Sequence, residues 1–158
     1  MQVLKQTGLD PKYLELELTE SVLVKNPERS VAILHELKNL GIGLSLDDFG
    51  TGYSSLSYLQ KFPFDTLKLD RCFVQDVNRH IKNAAIVKAT IVMAHSLNMR
   101  VVAEGVETEA EQQFLRDHEC DCLQGYWFSR PVEPRIFEQM LRANSAETTT
   151  KPLSTLEW

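Results

Sequence analysis

Five residues of this chain have the types and order that metal-assisted chemistry needs: Glu17, Asp47, Asp48, Lys68 and Glu104. Carboxylates brought together repel, so at neutral pH such a group either keeps protons at raised pKa or binds divalent cations. Hard oxygen donors with no histidine or thiolate among them favour Mg²⁺ or Mn²⁺ over zinc. The tandem Asp47-Asp48 suits a pair of ions about 3.5–4 Å apart, one carboxylate bridging and its neighbour completing the second position. Lys68 could orient an attacking water or offset phosphate charge, or it could be paired to Asp70 or Asp47 for structure alone. Any one of Glu17, Asp47, Lys68 and Glu104 is better explained as a charge at a strand edge; all four in chain order at equivalent strand positions are not.

The elements that must position them alternate along the chain. Residues 1–7 read as the last turns of a helix stopped at Gly8, and 13–18 as a strand with Leu14, Leu16 and Leu18 on one face and Glu15 and Glu17 on the other. Asn26-Pro27-Glu28 gives an N-cap, a first-turn proline and a dipole-favourable acid for a helix turning Ile33, Leu34, Leu37 and Leu40 inward. A second strand covers 43–47, with Leu44 and Leu46 opposite Ser45 and Asp47. After a glycine-containing loop, 54–60 reads as a helix broken at Pro63, and 66–70 alternates again, with Leu67 and Leu69 opposite Lys68 and Asp70. A long helix at 83–97 uses Ile86, Val87, Ile91 and Ala94. A strand at 100–104 is followed by the capping box Thr108-Glu109-Ala110-Glu111, which opens a helix to about 118. A short strand at 122–124 and a helix from Pro134, with Ile136, Phe137, Met140 and Leu141 on its apolar face, complete the pattern.

Strands alternating with amphipathic helices predict an α/β fold of parallel βα units. A parallel sheet is normally covered on both faces, so ionisable residues on its second face need a reason other than solvent. In a (β/α) barrel they converge at the carboxyl-end mouth, where active sites of that architecture sit. About five such units are present, short of the roughly 200 residues that a closed eight-unit barrel needs, so a partial TIM-like barrel is expected.

At 158 residues, 43% hydrophobic and with a net charge of −5, the chain has material for one soluble core. Acidic balance argues against a nucleic-acid polymer as partner, which calls for clustered Lys and Arg, and an anionic substrate would need metal ions to neutralise it. The opening residues form neither a signal peptide nor a membrane span, from which a cytoplasmic location is expected. Three cysteines, Cys72, Cys120 and Cys122, match no zinc spacing and are expected as reduced, mostly packed thiols. From Asn144 the composition turns to Ser, Thr and Glu, which divides the chain into a domain at 1–143 and a disordered tail at 144–158.

Taken together, Leu16-Glu17-Leu18-Thr19-Glu20-Ser21, Asp47-Asp48-Phe49-Gly50-Thr51-Gly52-Tyr53-Ser54-Ser55-Leu56, Lys68-Leu69-Asp70, Ala103-Glu104-Gly105-Val106-Glu107-Thr108 and Gln124-Gly125-Tyr126-Trp127-Phe128-Ser129-Arg130-Pro131 resemble the EAL-domain phosphodiesterases of bacterial signalling. The resemblance implies a TIM-like barrel that hydrolyses cyclic dimeric GMP to the linear dinucleotide with two Mg²⁺ or Mn²⁺ ions. It implies Glu17 as a first-metal ligand, Asp47 as the bridging ligand, Asp48 and Glu104 as ligands of the second ion, and Lys68 as the residue that positions the water. Asp70, Glu107 and Gln124 resemble substrate-site and support positions. Glu20 resembles the residue that pins the loop Phe49, Gly50, Thr51, Gly52, Tyr53 and Ser54, which in this family couples the metal site to a dimer interface. Bottom-up, an ordinary glycine turn before a helix explains that loop equally well.

The Glu-Ala-Leu signature that names the family, and an asparagine ligand, belong upstream of these motifs and have no counterpart here. The expectation is therefore the C-terminal portion of such a barrel, inactive in isolation and prone to self-association or homodimer formation through open sheet edges. The alternative is a catalytically silent module that binds the cyclic dinucleotide or a protein partner.

Overall fold

The computed structural model describes residues 2–19, 26–50 and 59–150, with side chains to residue 143. By its internal packing the chain divides into two units, Met1–Phe128 and Ser129–Trp158. In the first unit α1 (Gln2–Thr7) ends at Gly8, and a 3-10 turn at Pro11–Tyr13 leads into β1 (Glu15–Thr19). There follow α2 (Pro27–Asn39), β2 (Gly43–Phe49), β3 (Thr66–Leu69), the single-turn α3 (Arg71–Val74), α4 (Ile81–Ser96), β4 (Arg100–Ala103), α5 (Glu109–Asp117) and β5 (Cys122–Leu123).

All strand pairs are parallel, and spatial order equals sequence order, β1-β2-β3-β4-β5. A doubly wound sheet reverses its strand order at a switch point. Here there is no reversal among the described residues, so the sheet is an arc of a (β/α) barrel, the partial TIM-like architecture expected from the alternation.

The register separates two faces. Leu16 pairs with Leu44, Leu46 with Leu67, Leu67 with Val101 and Ala103 with Leu123, so one face is aliphatic throughout. Leu44, Leu67, Leu69, Val101 and Ala103 are fully buried there against Leu34, Val87, Ile91, Ala94 and Leu115 from the helices. Burying each large aliphatic is worth about 1.5–3 kcal/mol, so this face holds the arc together. The opposite face runs through Glu17, Ser45, Thr66 and Lys68, a polar series that gives way to Val102 on β4.

Some expected details are corrected. Ile33 of α2 and Ile86 of α4 are exposed; Val31, Leu34 and Leu37 turn α2 inward, and Val87, Thr90, Ile91 and Ala94 do so for α4. Asn26 stands at the N-cap of α2 without a side-chain cap bond. Cys72 and Cys122 are exposed, and only Cys120 is substantially packed. Residues 66–70 are not one strand: Asp70 leaves β3 and caps α3, a helix too short for periodicity to reveal. In the second unit a helix spans Pro134–Thr150, and 151–158 lie outside the described residues.

Candidate active site at the carboxyl ends of the strands

The carboxyl ends of β1 to β4 bring four of the expected residues together. Lys68 Nζ lies 2.7 Å from Glu17 Oε1, 2.7 Å from Glu104 Oε1 and 3.2 Å from Asp47 Oδ1. Register explains the convergence. Glu17 stands level with Ser45 and Asp47 two residues further along β2, while Lys68 is level with Val102 and Glu104 two residues beyond that. Alternation puts all four on the polar face, and the stagger puts three carboxylates around one ammonium. Lys68 thus pairs with acids from three other strands; of the two structural partners weighed from sequence, Asp47 is one and Asp70 is not.

The tandem Asp47-Asp48 owes its placement to a bulge. Leu46 pairs with Leu67 and Phe49 with Leu69, so β2 spends three steps where β3 spends two. Asp48 is the strained residue, with φ 54, a region where aspartate is one of the few non-glycine residues enriched. A regular strand would send Asp47 and Asp48 to opposite faces; a bulge breaks that rule and re-aims a side chain beside a functional site.

The electrostatics are unbalanced. Lys68 is 7% exposed. Burial works against its charge, yet the neighbouring carboxylates of Glu104 and Glu17, and then Asp47, outweigh burial and hold its pKa well above the ordinary lysine value. Three carboxylates share that one cation. Asp47 Oδ1, although at ion-pair distance from it, is sealed from solvent with no aligned hydrogen-bond partner among the described residues. A buried carboxylate oxygen with no hydrogen bond is a position where a cation would be welcome. Hard oxygens from Glu17, Asp47 and Glu104 on one rim fit a divalent ion of the Mg²⁺ or Mn²⁺ type. No three acids, histidines or cysteines among the described residues form a ready-made ion cage; the ammonium takes the centre.

Beside the rim a cleft of about 250 Å³ is lined by Arg71, Glu104, Gly105, Glu107, Gln124, Gly125 and Tyr126. Two of the expected support residues, Glu107 and Gln124, therefore share a surface with Glu104. Gln124 also continues the sheet: its N–H donates to Ala103 O at 2.8 Å, and its carbonyl accepts from Val106 N at 3.1 Å. Asp70 does something different. Its carboxylate accepts from Cys72 N at 2.8 Å as the cap of α3, and hydrogen bonding from Cys72 holds its pKa below the usual range against the pull of burial.

Two contributors escaped the sequence reading. Arg71 pairs with Glu107 Oε1 at 2.9 Å across the cleft; its place directly after Lys68-Leu69-Asp70 is the only signal that could have found it. Glu111 was legible as a capping residue, and the capping box forms, but its other oxygen accepts from Asp76 N at 2.9 Å, tying the segment after α3 to the loop that carries Glu104 and Glu107. Burial raises the Glu111 pKa, and hydrogen bonds from the amides of Glu107, Asp76 and Thr108 more than reverse it. Of the expected loop, Phe49 ends β2 and Gly50, at φ 91, packs where an added Cβ would press on the Phe73 ring. Glu20, Thr51, Gly52, Tyr53 and Ser54 lie outside the described residues.

Comparison with known proteins agrees with this geometry. A cyclic di-GMP phosphodiesterase, NbdA of Pseudomonas aeruginosa, is 48% identical over 140 residues, 89% of this chain and 18% of its own length. The chain spans about a fifth of the length of the curated relatives it matches. Among solved structures, the PaMucR phosphodiesterase in complex with c-di-GMP superposes with a TM-score of 0.82 at 43% identity, covering 86% of this chain and 55% of that one. The manganese/cy-diGMP complex of Klebsiella pneumoniae BlrP1 gives a TM-score of 0.78 at 36% identity, over 83% of this chain and 33% of that one. The family model described as EAL domain matches residues 1–131, so the chain belongs to the EAL domain family.

Proposed function

We propose that this chain carries the larger part of a two-metal site for hydrolysis of cyclic dimeric GMP to the linear dinucleotide, as the C-terminal portion of an EAL barrel. The observation that carries the reading is the three-to-one excess of carboxylates over cations at one rim, with an Asp47 oxygen left without a hydrogen bond. Glu17, Asp47, Asp48 and Glu104 would hold Mg²⁺ or Mn²⁺. Divalent ions bound there would neutralise the phosphate and make water a competent nucleophile. Lys68, fixed in its charged form by its neighbours, is placed to hold that water or the developing negative charge. Relatives that bind the cyclic dinucleotide, one of them with manganese, support the assignment of substrate and metal class.

The first ion would have about half of its protein ligands from these residues, so hydrolysis by this stretch alone is not expected. In a barrel completed by the missing strands, Glu17→Ala and Asp47→Ala each abolish Mn²⁺-dependent conversion of cyclic dimeric GMP, followed by chromatography. Activity persisting in both removes the ligand assignment.

One observation favours a second reading. Lys68 already fills the centre of the carboxylate group, which would let the rim persist without ions as a silent binding module. Calorimetry separates the two: dinucleotide binding that is indifferent to Mg²⁺ and Mn²⁺ supports the module. Self-association belongs to either reading, because β1 and β5 each have one neighbour among the described residues and offer an edge for pairing. A concentration-independent monomer in size-exclusion chromatography would refute it.

A further inference from the structure

Without ions bound at the rim, its one cation is already engaged. Lys68 is taken by three carboxylates, and Glu104 and Glu107 add negative charge to the adjoining cleft. An approaching phosphodiester needs a positive group that is not already saturated. Among the described residues that line the cleft there is one cation, Arg71.

We infer that Arg71 is the phosphate-recognising residue of this cleft, exchanging its ion pair with Glu107 for paired hydrogen bonds to the phosphate oxygens of the cyclic dinucleotide. The inference rests on the reading of the rim as a cyclic dimeric GMP site. Three features of the structure support it. First, the Arg71 side chain is directed by packing. It lies over Gly105, which sits at φ 70, and a Cβ there would stand inside the Arg71 stem. Glycine at 105 therefore does two things: it permits the left-handed backbone next to Glu104 and clears the path of the arginine.

Second, the guanidinium is underused. Among the described residues it makes one ion pair, from Nη2 to Glu107 Oε1 at 2.9 Å, out of the five N–H donors that an arginine offers. The planar fork matches two phosphate oxygens at once, which a lysine ammonium does not. Third, the exchange is cheap. The Arg71 and Glu107 side chains are 52% and 38% exposed, and a pair that is this solvated contributes little. Glu107 would be rehydrated on release, and its backbone stays anchored through its N–H to Glu111 Oε2 at 2.9 Å.

The test is titration of the full chain with cyclic dimeric GMP in Ca²⁺, read by calorimetry, together with the Arg71 Nε–H resonance. Arg71→Met is expected to raise Kd at least about tenfold, the loss of a charged hydrogen-bond partner. Arg71→Lys is expected to recover part of the affinity, since charge returns without the fork. In the unsubstituted chain the Nε–H resonance is expected to move with the dinucleotide and to stay in place with equimolar inorganic phosphate, a readout that needs no variant to fold. Wild-type Kd in Arg71→Met with an unmoved resonance overturns the role of Arg71 and leaves the reading of the rim intact. A resonance that moves with inorganic phosphate, beside dinucleotide affinity indifferent to residue 71, makes this a free-phosphate site and overturns the substrate assignment. An unsubstituted chain that fails to bind the dinucleotide overturns both.

Discussion

The two ends of the sheet use acids in opposite ways. At the amino ends, Asp65 and Asp121 each have one nitrogen-bearing side chain and one backbone amide as partners. Asp65, just before β3, meets Lys38 Nζ at 2.6 Å and accepts from Leu44 N at 2.8 Å. Asp121, just before β5, meets His95 Nε2 at 2.8 Å and accepts from Val101 N at 2.7 Å. Each acid thereby reaches back to the neighbouring strand and pins its register. At the carboxyl ends, Glu17, Asp47 and Glu104 share Lys68, and an Asp47 oxygen has no hydrogen bond. The same residue types act as fasteners at one end and form a group with more acids than donors at the other. Composition cannot distinguish them; the ratio of acids to donors does.

Removal of the central cation should sharpen this contrast most. Lys68→Met leaves three carboxylates facing one another and is expected to cost about 2–4 kcal/mol, the lower part reflecting the exposure of Glu17. Mn²⁺ should restore much of that in a thermal melt, because the ion replaces the lost charge; a melt blind to Mn²⁺ would mean that the rim is not a cation site. A smaller effect separates the ends directly. Asp121→Asn is expected to lower stability by about 1–2 kcal/mol by urea titration, whereas Asp47→Asn should be near neutral or slightly stabilising. Equal losses at both would erase the distinction.

Acid provides a third probe. Burial raises the Asp121 pKa, but bonding to His95 and the Val101 amide lowers it further, so the folded value lies below the unfolded one. The resulting stability is present above about pH 4 and is lost as pH falls through the folded value. Glu111 behaves in the same sense. Asp121→Asn should therefore flatten the acid limb of a urea-midpoint profile between pH 5 and 2.5; an unchanged slope would show that the fastener carries no such linkage. The smallest effect is expected at Lys12, whose pair with Asp10 at 2.9 Å is fully solvated. Lys12→Ala should leave the melting temperature within error, and a clear drop would show that single surface pairs matter here.

Much of this site could be read from the chain. Period-two alternation at Leu16-Glu17-Leu18 and Leu44-Ser45-Leu46-Asp47 assigned both face and element, because a one-residue slip would bury the charges among the helices. Thr108 and Glu111 announced a helix start through reciprocal hydrogen bonds that are local. Arg71 was not legible: α3 spans a single turn, and its partner Glu107 is 36 residues away in the chain, by simple subtraction of positions.

By itself, then, the amino-acid sequence determined the βα alternation, the polar face of each strand, the acids of the rim and the family to which they belong. These follow from periodicity and local hydrogen bonding, which act over a few residues. Tertiary structure decided the rest: that the strands stand in sequential order, that Asp47 meets Lys68 beside a bulge in β2, that Asp70 caps a helix, and that Arg71 faces Glu107 across a cleft. Each of these depends on the stagger between neighbouring strands, which arises only when the aliphatic face closes on its helices and distant segments of chain are brought level.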